Sequence, residues 1–249
     1  MRKLSLRSCI ILFLLLFFNT AYIFAQADSC KVKVNISADL VSTYIWRGTA
    51  VDQSPNIQPA FSLGIGNFTV GAWASSNFTG TFREIDLFAS YAIKGFTITA
   101  TDYIWTPQID ETKFFDYKKE TTGHYIETSL NYKGPEAFPL TITAATMVYG
   151  ADKKIDNINA ITQDTTYTNY YSTYMELGYS FKVNGTQIDP FIGFTTGKGI
   201  YGESAGVINL GVSGVRKLKF NDTLEFPLKA SLIFNPQASK AFIVLGITI

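Results

Sequence analysis

His124 is the only histidine in the chain, and a nucleophilic or acid–base site would have to be built around it. On a strand, a Ser–His pair needs a serine at an even spacing from the histidine. Ile126 and Thr128 occupy those positions, whereas Ser129 falls on the opposite face. An Asp–His arrangement stays open, because acids are plentiful in the neighbouring stretches. The spacing favours a structural histidine, and we predict that the chain is not an enzyme.

Other motifs that would bind a cofactor are missing from the sequence. It contains no glycine-rich nucleotide loop, no paired-cysteine metal site and no haem-attachment motif. Lysine and arginine total 21 against 20 acidic residues, without a block of like charge. We therefore predict no cofactor and no metal, and we do not expect a nucleic acid as a partner.

Residues 1–25 have the pattern of a cleaved signal peptide. Three basic residues precede an unbroken apolar run at 10–18, and small residues follow, with cleavage expected after Ala25 or Ala27. The run is shorter than the ~20 residues that a membrane-spanning helix needs. The sequence thus predicts a signal peptide at 1–25 and one mature domain at 26–249.

The mature domain is dominated by apolar and polar residues that alternate with a period of two. In the first segment the apolar set is Val34, Ile36, Ala38 and Leu40, and the polar set is Lys33, Asn35, Ser37 and Asp39. Twelve such segments follow one another, which predicts an all-β chain with one apolar face on each strand. Aromatic residues near segment ends, Tyr44 and Trp46 at one and Tyr179 and Phe181 at another, are typical of membrane-interface girdles.

The connections between segments alternate in length. Tight turns occur at 66–67, 94–95 and 184–185, whereas the longest connections run over 107–123 and 151–168. Short turns at one end and long loops at the other are typical of outer-membrane barrels. We predict a transmembrane antiparallel β-barrel of about twelve strands, with membrane lipid against its apolar face. A secreted β-sandwich, with its apolar faces in a core, is the alternative.

If the apolar faces point outward, the polar positions line the interior. The predicted pore-lining residues are Asp39, Arg47, Glu84, Asp86, Glu127, Glu176, Asp189 and Lys229. Acids outnumber bases in this set, which predicts a weak preference for cations. Arg47 is expected to face Glu84 and Asp86 across the lumen as a charged constriction. The alternative is an interior salt-bridge network that only satisfies buried charges.

A second interior feature is an aromatic rim near the outer strand ends. Its predicted members are Trp73, Tyr103, Trp105, Tyr125 and Tyr149. Stacked rings could guide flat solutes, or they could simply fill a small barrel. Asp102 is ambiguous, because it falls on the apolar face of the fifth segment: either it lies beyond the hydrocarbon or a bulge inverts that strand end.

Two motifs resemble the TorF-type porins of Gram-negative bacteria. They are the stretch Ser42-Thr43-Tyr44-Ile45-Trp46-Arg47-Gly48, and Glu84-Ile85-Asp86-Leu87 with Tyr91. The resemblance is clearest over residues 34–93. It implies a barrel in the outer membrane and suggests transport, without naming a substrate.

Together these features predict a porin-like channel for the passive diffusion of small solutes, assembled by the outer-membrane machinery. A non-conducting structural or ligand-binding barrel and an outer-membrane hydrolase are the alternatives. The oligomeric state is left open.

Overall fold

The computed structural model describes residues 31–111, 114–158, 165–219 and 225–249. The predicted signal peptide lies outside the described residues. The strands that form the wall are β1 Val32–Val41, β4 Asn56–Ile65, β5 Phe68–Asn77, β6 Arg83–Ile93, β7 Phe96–Trp105, β8 Tyr125–Lys133, β9 Leu140–Gly150, β12 Thr173–Tyr179, β13 Phe181–Val183, β14 Thr186–Thr195, β15 Gly206–Lys219, β16 Glu225–Asn235 and β17 Lys240–Thr248. The connections carry two small hairpins, β2 Tyr44–Trp46 with β3 Thr49–Asp52 and β10 Lys153–Ile158 with β11 Thr165–Asn169, and a short helix α1, Gln108–Glu111.

The wall is a closed antiparallel barrel. β1 pairs with both β4 and β17, and β12 pairs with both β9 and β14, so the sheet has no free edge. Of its thirteen strands, β12 and β13 are pieces of one wall strand, because Gly178↔Phe191 and Phe181↔Ile188 keep a single register. The break lies opposite Pro190, which has no amide hydrogen to donate. The structure therefore confirms the predicted barrel of twelve strands.

Side chains alternate between the two faces of the wall as the sequence predicts. Large apolar residues are exposed on the outer face, among them Ile36 at 74% and Ile98 at 57%. An apolar surface of this extent is unfavourable in water. In the part of the chain that the structure describes, no helix is long and apolar enough to cross a membrane.

The two ends of the barrel differ in their connections. We call the end with the turns at 66–67, 94–95 and 184–185 the turn end, and the other, which carries both small hairpins and α1, the loop end. Lys94-Gly95 and Asn184-Gly185 each have positive φ at both residues, as a two-residue type I′ turn requires. The predicted sorting of short and long connections is confirmed.

Two β-bulges change which residues face the lumen. In β9 the pairing shifts between Ile126↔Tyr149 and Glu127↔Met147, so Val148 is an extra residue. Tyr149 is thereby turned to the outer face, and its predicted place in the inner aromatic rim is wrong. In β15 the register shifts near Ile208, which is fully buried in the interior although the alternation places it on the outer face.

Candidate functional site

The site with the most polar and charged contacts is a hairpin that enters the lumen from the loop end. β1 ends at Val41, and the chain then folds back as β2 and β3 instead of continuing the wall. The alternation predicted that Tyr44 and Trp46 belong to an outer aromatic girdle. That prediction is wrong, because both residues lie on the inserted hairpin. Tyr44 packs on Trp73 of β5 with ring centroids 5.5 Å apart. Both aromatic residues lie inside the barrel.

The tip of the hairpin is the turn Arg47-Gly48, with φ of 48° and 78°. Two consecutive left-handed residues are what a type I′ turn needs, and glycine takes up that conformation without strain. A Cβ on Gly48 would lie 1.9 Å from the Ile208 carbonyl oxygen on β15. Asn235 of β16 donates its Nδ2 to the Gly48 carbonyl at 3.1 Å. The tip is thus seated against the wall.

Arg47 forms the central ion pair of the lumen. Its guanidinium binds both carboxylate oxygens of Glu127 on β8, with Nη2 3.0 Å from Oε1. Glu127 is 2% exposed and also accepts from the hydroxyls of Tyr201, at 2.7 Å, and Tyr103, at 3.1 Å. A two-point arginine–carboxylate pair fixes geometry as well as charge.

The same guanidinium is surrounded by aromatic rings. Its Cζ lies 4.7 Å from the ring centres of Trp46 and Tyr174 and 5.1 Å from that of Tyr201. Tyr174 belongs to β12, nearly opposite β1 and β4 in the twelve-strand cycle, so the hairpin crosses the lumen. Around these rings Met147 and Ile208 complete a buried cluster. We call Arg47, Glu127, Met147, Tyr174, Tyr201 and Ile208 the plug cluster.

Tyr201 reaches the plug cluster from a second connection, residues 196–205. That connection is held to its neighbour by a hydrogen bond from the Ile200 amide to Ser172 Oγ at 2.9 Å. Ser172 Oγ in turn donates to Asp152 at 2.6 Å. Nothing in the local sequence pattern around Tyr201 indicates that this loop residue turns into the barrel, so its place in the site is not predictable from the sequence.

Glu84 and Asp86 face the lumen on β6, as predicted, but they do not pair with Arg47. The predicted constriction between Arg47 and these acids is wrong, since the guanidinium binds Glu127. Glu84 and Asp86 are 4% and 6% exposed, and Glu84 Oε2 and Asp86 Oδ1 have no hydrogen-bond partner among the described residues. Burial, and then the charges of these two acids, raise the pKa of Tyr44 in the hairpin.

The other predicted lumen acids lie inside the barrel and bind wall residues. Asp39 accepts from Thr248 Oγ1 at 2.6 Å, and Asp189 accepts from Ser180 Oγ at 2.6 Å. Glu176 accepts from the Tyr174 hydroxyl and from Asn209 Nδ2. Lys229, on β16, lies with Asp39 at the edge of a cavity of about 140 Å³, which we call the inner cavity.

Four of the five predicted rim aromatics are in the interior. Trp105 stacks on Tyr125 at 4.5 Å, and Tyr103 packs on Trp46 at 5.5 Å. Trp73 holds the base of the hairpin through Tyr44. These rings pack against one another and against the inserted chain, which matches the filling role more than a continuous stacking track.

A second cavity, the outer cavity, lies between the hairpin and the loop end of the wall. Its volume is about 280 Å³, and its lining includes Trp46, Phe82, Glu84, Trp105 and Tyr201. Tyr44 lines the inner cavity and lies against Glu84, so it stands between the two cavities.

His124 and Asp102 form a separate cluster on the outer face of the wall. The β6–β7 register is continuous, so no bulge inverts Asp102. His124 is completely buried, with Nδ1 2.8 Å from Asp102 Oδ1 and Nε2 2.7 Å from the Phe114 carbonyl oxygen. Both ring nitrogens are therefore engaged in hydrogen bonds within the protein.

Tyr117 covers this histidine and closes the cluster. Its ring stacks on His124 at 4.3 Å, and its hydroxyl donates to Asp102 Oδ2 at 2.7 Å. Desolvation, followed by that hydrogen bond, raises the pKa of Tyr117 to about 12. Tyr149 donates to the Tyr117 carbonyl at 2.6 Å. The residues that the structure describes hold no group of three side chains suited to bind a metal.

Comparison with known proteins adds little to this geometry. No protein-family model matches the chain, and no curated protein matches it. A solved structure of a porin aligns with 83% of this chain at 13% identity and a TM-score of 0.40. The chain covers 65% of the length of that porin. The fold assignment accordingly rests on the strand pairing, and the resemblance to the TorF-type porins stays a prediction from the motifs.

Proposed function

We propose that the chain is a narrow diffusion channel of the outer membrane, constricted near its loop end by the β2–β3 hairpin. The observation that carries the proposal is the contrast between the two faces of a closed wall. A closed barrel pairs its backbone groups internally, which lets it stand in lipid. Its exposed apolar outer face fits acyl chains, and a polar inner face fits water.

The turn-end half of the lumen supports a water-filled entrance. Several of its inward positions are small and hydroxylated, as at Thr97, Thr99 and Ser129, and all three are partly exposed. Lys33 and Asn35 on β1 are exposed there. Side chains of this size leave the inside of a twelve-strand barrel open.

The constriction then determines which solutes pass. The inner and outer cavities lie on either side of Tyr44, so the route past the hairpin runs beside Glu84 and Asp86. Arg47 is neutralised by Glu127, whereas these two acids have no basic partner among the described residues. A weak preference for cations follows from this balance of charge.

A second candidate is a non-conducting barrel that binds a ligand. It is favoured by the plug cluster, in which Met147 and Tyr174 are 0% and 2% exposed, so that this side of the lumen is closed. In that case the outer cavity would be a binding site without an exit.

Recording from planar bilayers separates the two candidates. The purified full-length protein should give discrete conductance steps, and a KCl gradient should give a reversal potential on the cation side. Liposomes that contain the protein should also swell in solutions of small sugars, because the sugars enter through the channel. Silent bilayers with correctly folded protein, as judged by heat-modifiable gel mobility, would reject the channel in favour of the closed barrel.

A further inference from the structure

We propose that the outer cavity binds a small organic cation, an amine with an apolar or aromatic body, whose ammonium group binds Glu84. The inference deepens the proposed function, on which it rests for the route by which the ligand arrives. It assigns a substrate class to the constriction.

The cavity wall supplies aromatic surface. Four rings line it, those of Trp46, Phe82, Trp105 and Tyr201, in a space of about 280 Å³. Aromatic faces attract a cation through the ring quadrupole, and more strongly when water is excluded. The same rings offer apolar contact to the body of the ligand.

Glu84 supplies the opposite charge. It lies in the lining and is 4% exposed, and its Oε2 has no hydrogen-bond partner in the described part of the chain. Asp86, two residues along the same strand face, also has an unpartnered oxygen. A buried polar group without a partner is unfavourable. An ammonium group has three N–H donors, so it can supply the missing partner of the Glu84 carboxyl, which lines the cavity.

Neither the arginine of the hairpin nor Arg83, which pairs with Asp110, fills this role. Arg47 directs its guanidinium to Glu127 and to three aromatic rings. The described ion pairs include none to Glu84 or Asp86. The two acids thus have no basic partner among the described ion pairs, and Glu84 lies beside an aromatic wall.

The lining favours an organic cation over a metal ion. Calcium needs six to eight oxygen ligands, and magnesium needs six in octahedral geometry. Besides Glu84, the only side-chain oxygens in the lining are hydroxyls, those of Thr49, Thr106 and Tyr201. No group of three metal-ligating side chains occurs within the described ranges. Aromatic rings cannot replace those oxygens, but their faces attract an ammonium group.

The test is a titration of the detergent-purified full chain with 2-phenylethylamine hydrochloride, followed by tryptophan fluorescence. Trp46 and Trp105, two of the three tryptophans, line the cavity. We expect a saturable change, with the amine bound at least about tenfold more tightly than neutral 2-phenylethanol, because only the amine forms a charged hydrogen bond. Equal affinity for the two probes would overturn the proposal without the need for any variant.

Two variants locate the site. Glu84→Gln should weaken amine binding at least about tenfold and leave 2-phenylethanol binding unchanged, which also shows that the cavity is intact. Glu203→Gln is the matched control, since it removes the same charge from an exposed loop position near Tyr201. It should leave both affinities unchanged. Equal losses in the two variants would mean a general charge effect, and no loss in Glu84→Gln would reject the site.

The remaining outcomes separate this site from the channel. A Glu84-dependent fluorescence change produced by MgCl2 and not by the amine would overturn the organic class. Amine binding in a protein whose bilayers stay silent would reject the proposed channel and keep the site. Conductance steps without amine binding would reject the site and keep the channel.

Discussion

The two halves of the lumen share one wall and one alternating pattern, yet they differ in what they contain. The turn-end half carries hydroxyl and glycine positions that are partly exposed, such as Thr99 and Gly64. The loop-end half contains the plug cluster, whose members are largely buried. The difference arises from chain that enters the barrel: Arg47 and Tyr201 both come from connections. In this molecule the wall strands determine the diameter of the barrel, and the inserted connections determine how much of the lumen stays open.

Wall residues in the loop-end half bind the inserted hairpin. Glu127 and Tyr174 face inward near the strand ends and meet Arg47 there. Without the guanidinium, the carboxylate of Glu127 would be buried without a cation. The inserted hairpin and the inner face of the wall therefore depend on each other.

The largest effect should come from removing the hairpin. Replacement of residues 44–51 by a Gly-Ser segment of the same length takes away the contacts by which Tyr44, Trp46 and Arg47 hold the connection in the lumen. Single-channel conductance should rise severalfold, because the bore is then set by the wall alone. Gel mobility should still change on heating, since wall pairing does not involve this segment. An unchanged conductance with an intact barrel would mean that the hairpin is not the constriction.

Arg47→Ala should cause the largest loss of stability by a single substitution. It leaves the carboxylate of Glu127 buried with hydroxyl partners only, and breaking a buried pair on one side costs about 3–5 kcal/mol. Arg83→Ala is the control, because its pair with Asp110 is exposed, at 52% and 40% of the two side chains. That loss should stay within about 1 kcal/mol.

Urea unfolding of both variants in lipid vesicles measures this difference. Conductance should also change in Arg47→Ala and not in Arg83→Ala. Similar unfolding free energies for the two variants would show that the plug cluster contributes no more than a surface ion pair.

Gly48→Ala tests whether the contact of the hairpin tip with β15 matters beyond the positive φ of the turn. Gly48 and Gly185 have nearly the same φ, 78° and 80°. The Cβ of an alanine would meet the Ile208 carbonyl at 1.9 Å in the first case and nothing within 4 Å in the second. Gly185→Ala should therefore lose only the ~1–2 kcal/mol of a left-handed alanine. Gly48→Ala should lose more, or displace the tip and raise conductance. Equal losses of stability with unchanged conductance would show that the tip is not seated on β15.

The sequence predicts the wall well and the plug poorly, for a physical reason. Alternation is a local property that follows from which face of each strand meets lipid. Strands such as Phe96–Trp105 can therefore be identified from the sequence. The turn at Asn184-Gly185 is equally local, because its residue types favour positive φ. Both features are predicted correctly.

The interior depends on contacts between distant residues, which no local pattern encodes. Arg47 and Glu127 are separated by 80 residues, and Arg47 and Tyr201 by 154. Tyr44 and Trp46 keep the parity of the first strand, so the alternation extends that strand through a point where the chain actually folds back. The bulge in β9 adds one residue without a distinctive sequence, which is why Tyr149 is assigned to the wrong face.

The smallest effect should be that of Thr99→Lys in the turn-end half. Thr99 faces the lumen between Ser90 and Ser129, whose short side chains leave room for a lysine that reaches water. Its neighbour in β7, Ile98, lies on the outer face and is 57% exposed there. Ile98→Lys should cost about 2–4 kcal/mol if that position stands in hydrocarbon. Thr99→Lys should change the free energy of unfolding by less than ~1 kcal/mol, because no apolar surface or buried bond is disturbed. It should only lower the cation preference slightly, through the added positive charge.

Urea titrations of the two variants in the same vesicles compare adjacent residues of one strand. If both lysines were equally costly, the turn-end half would be packed like the loop-end half, and the contrast between the two halves would disappear.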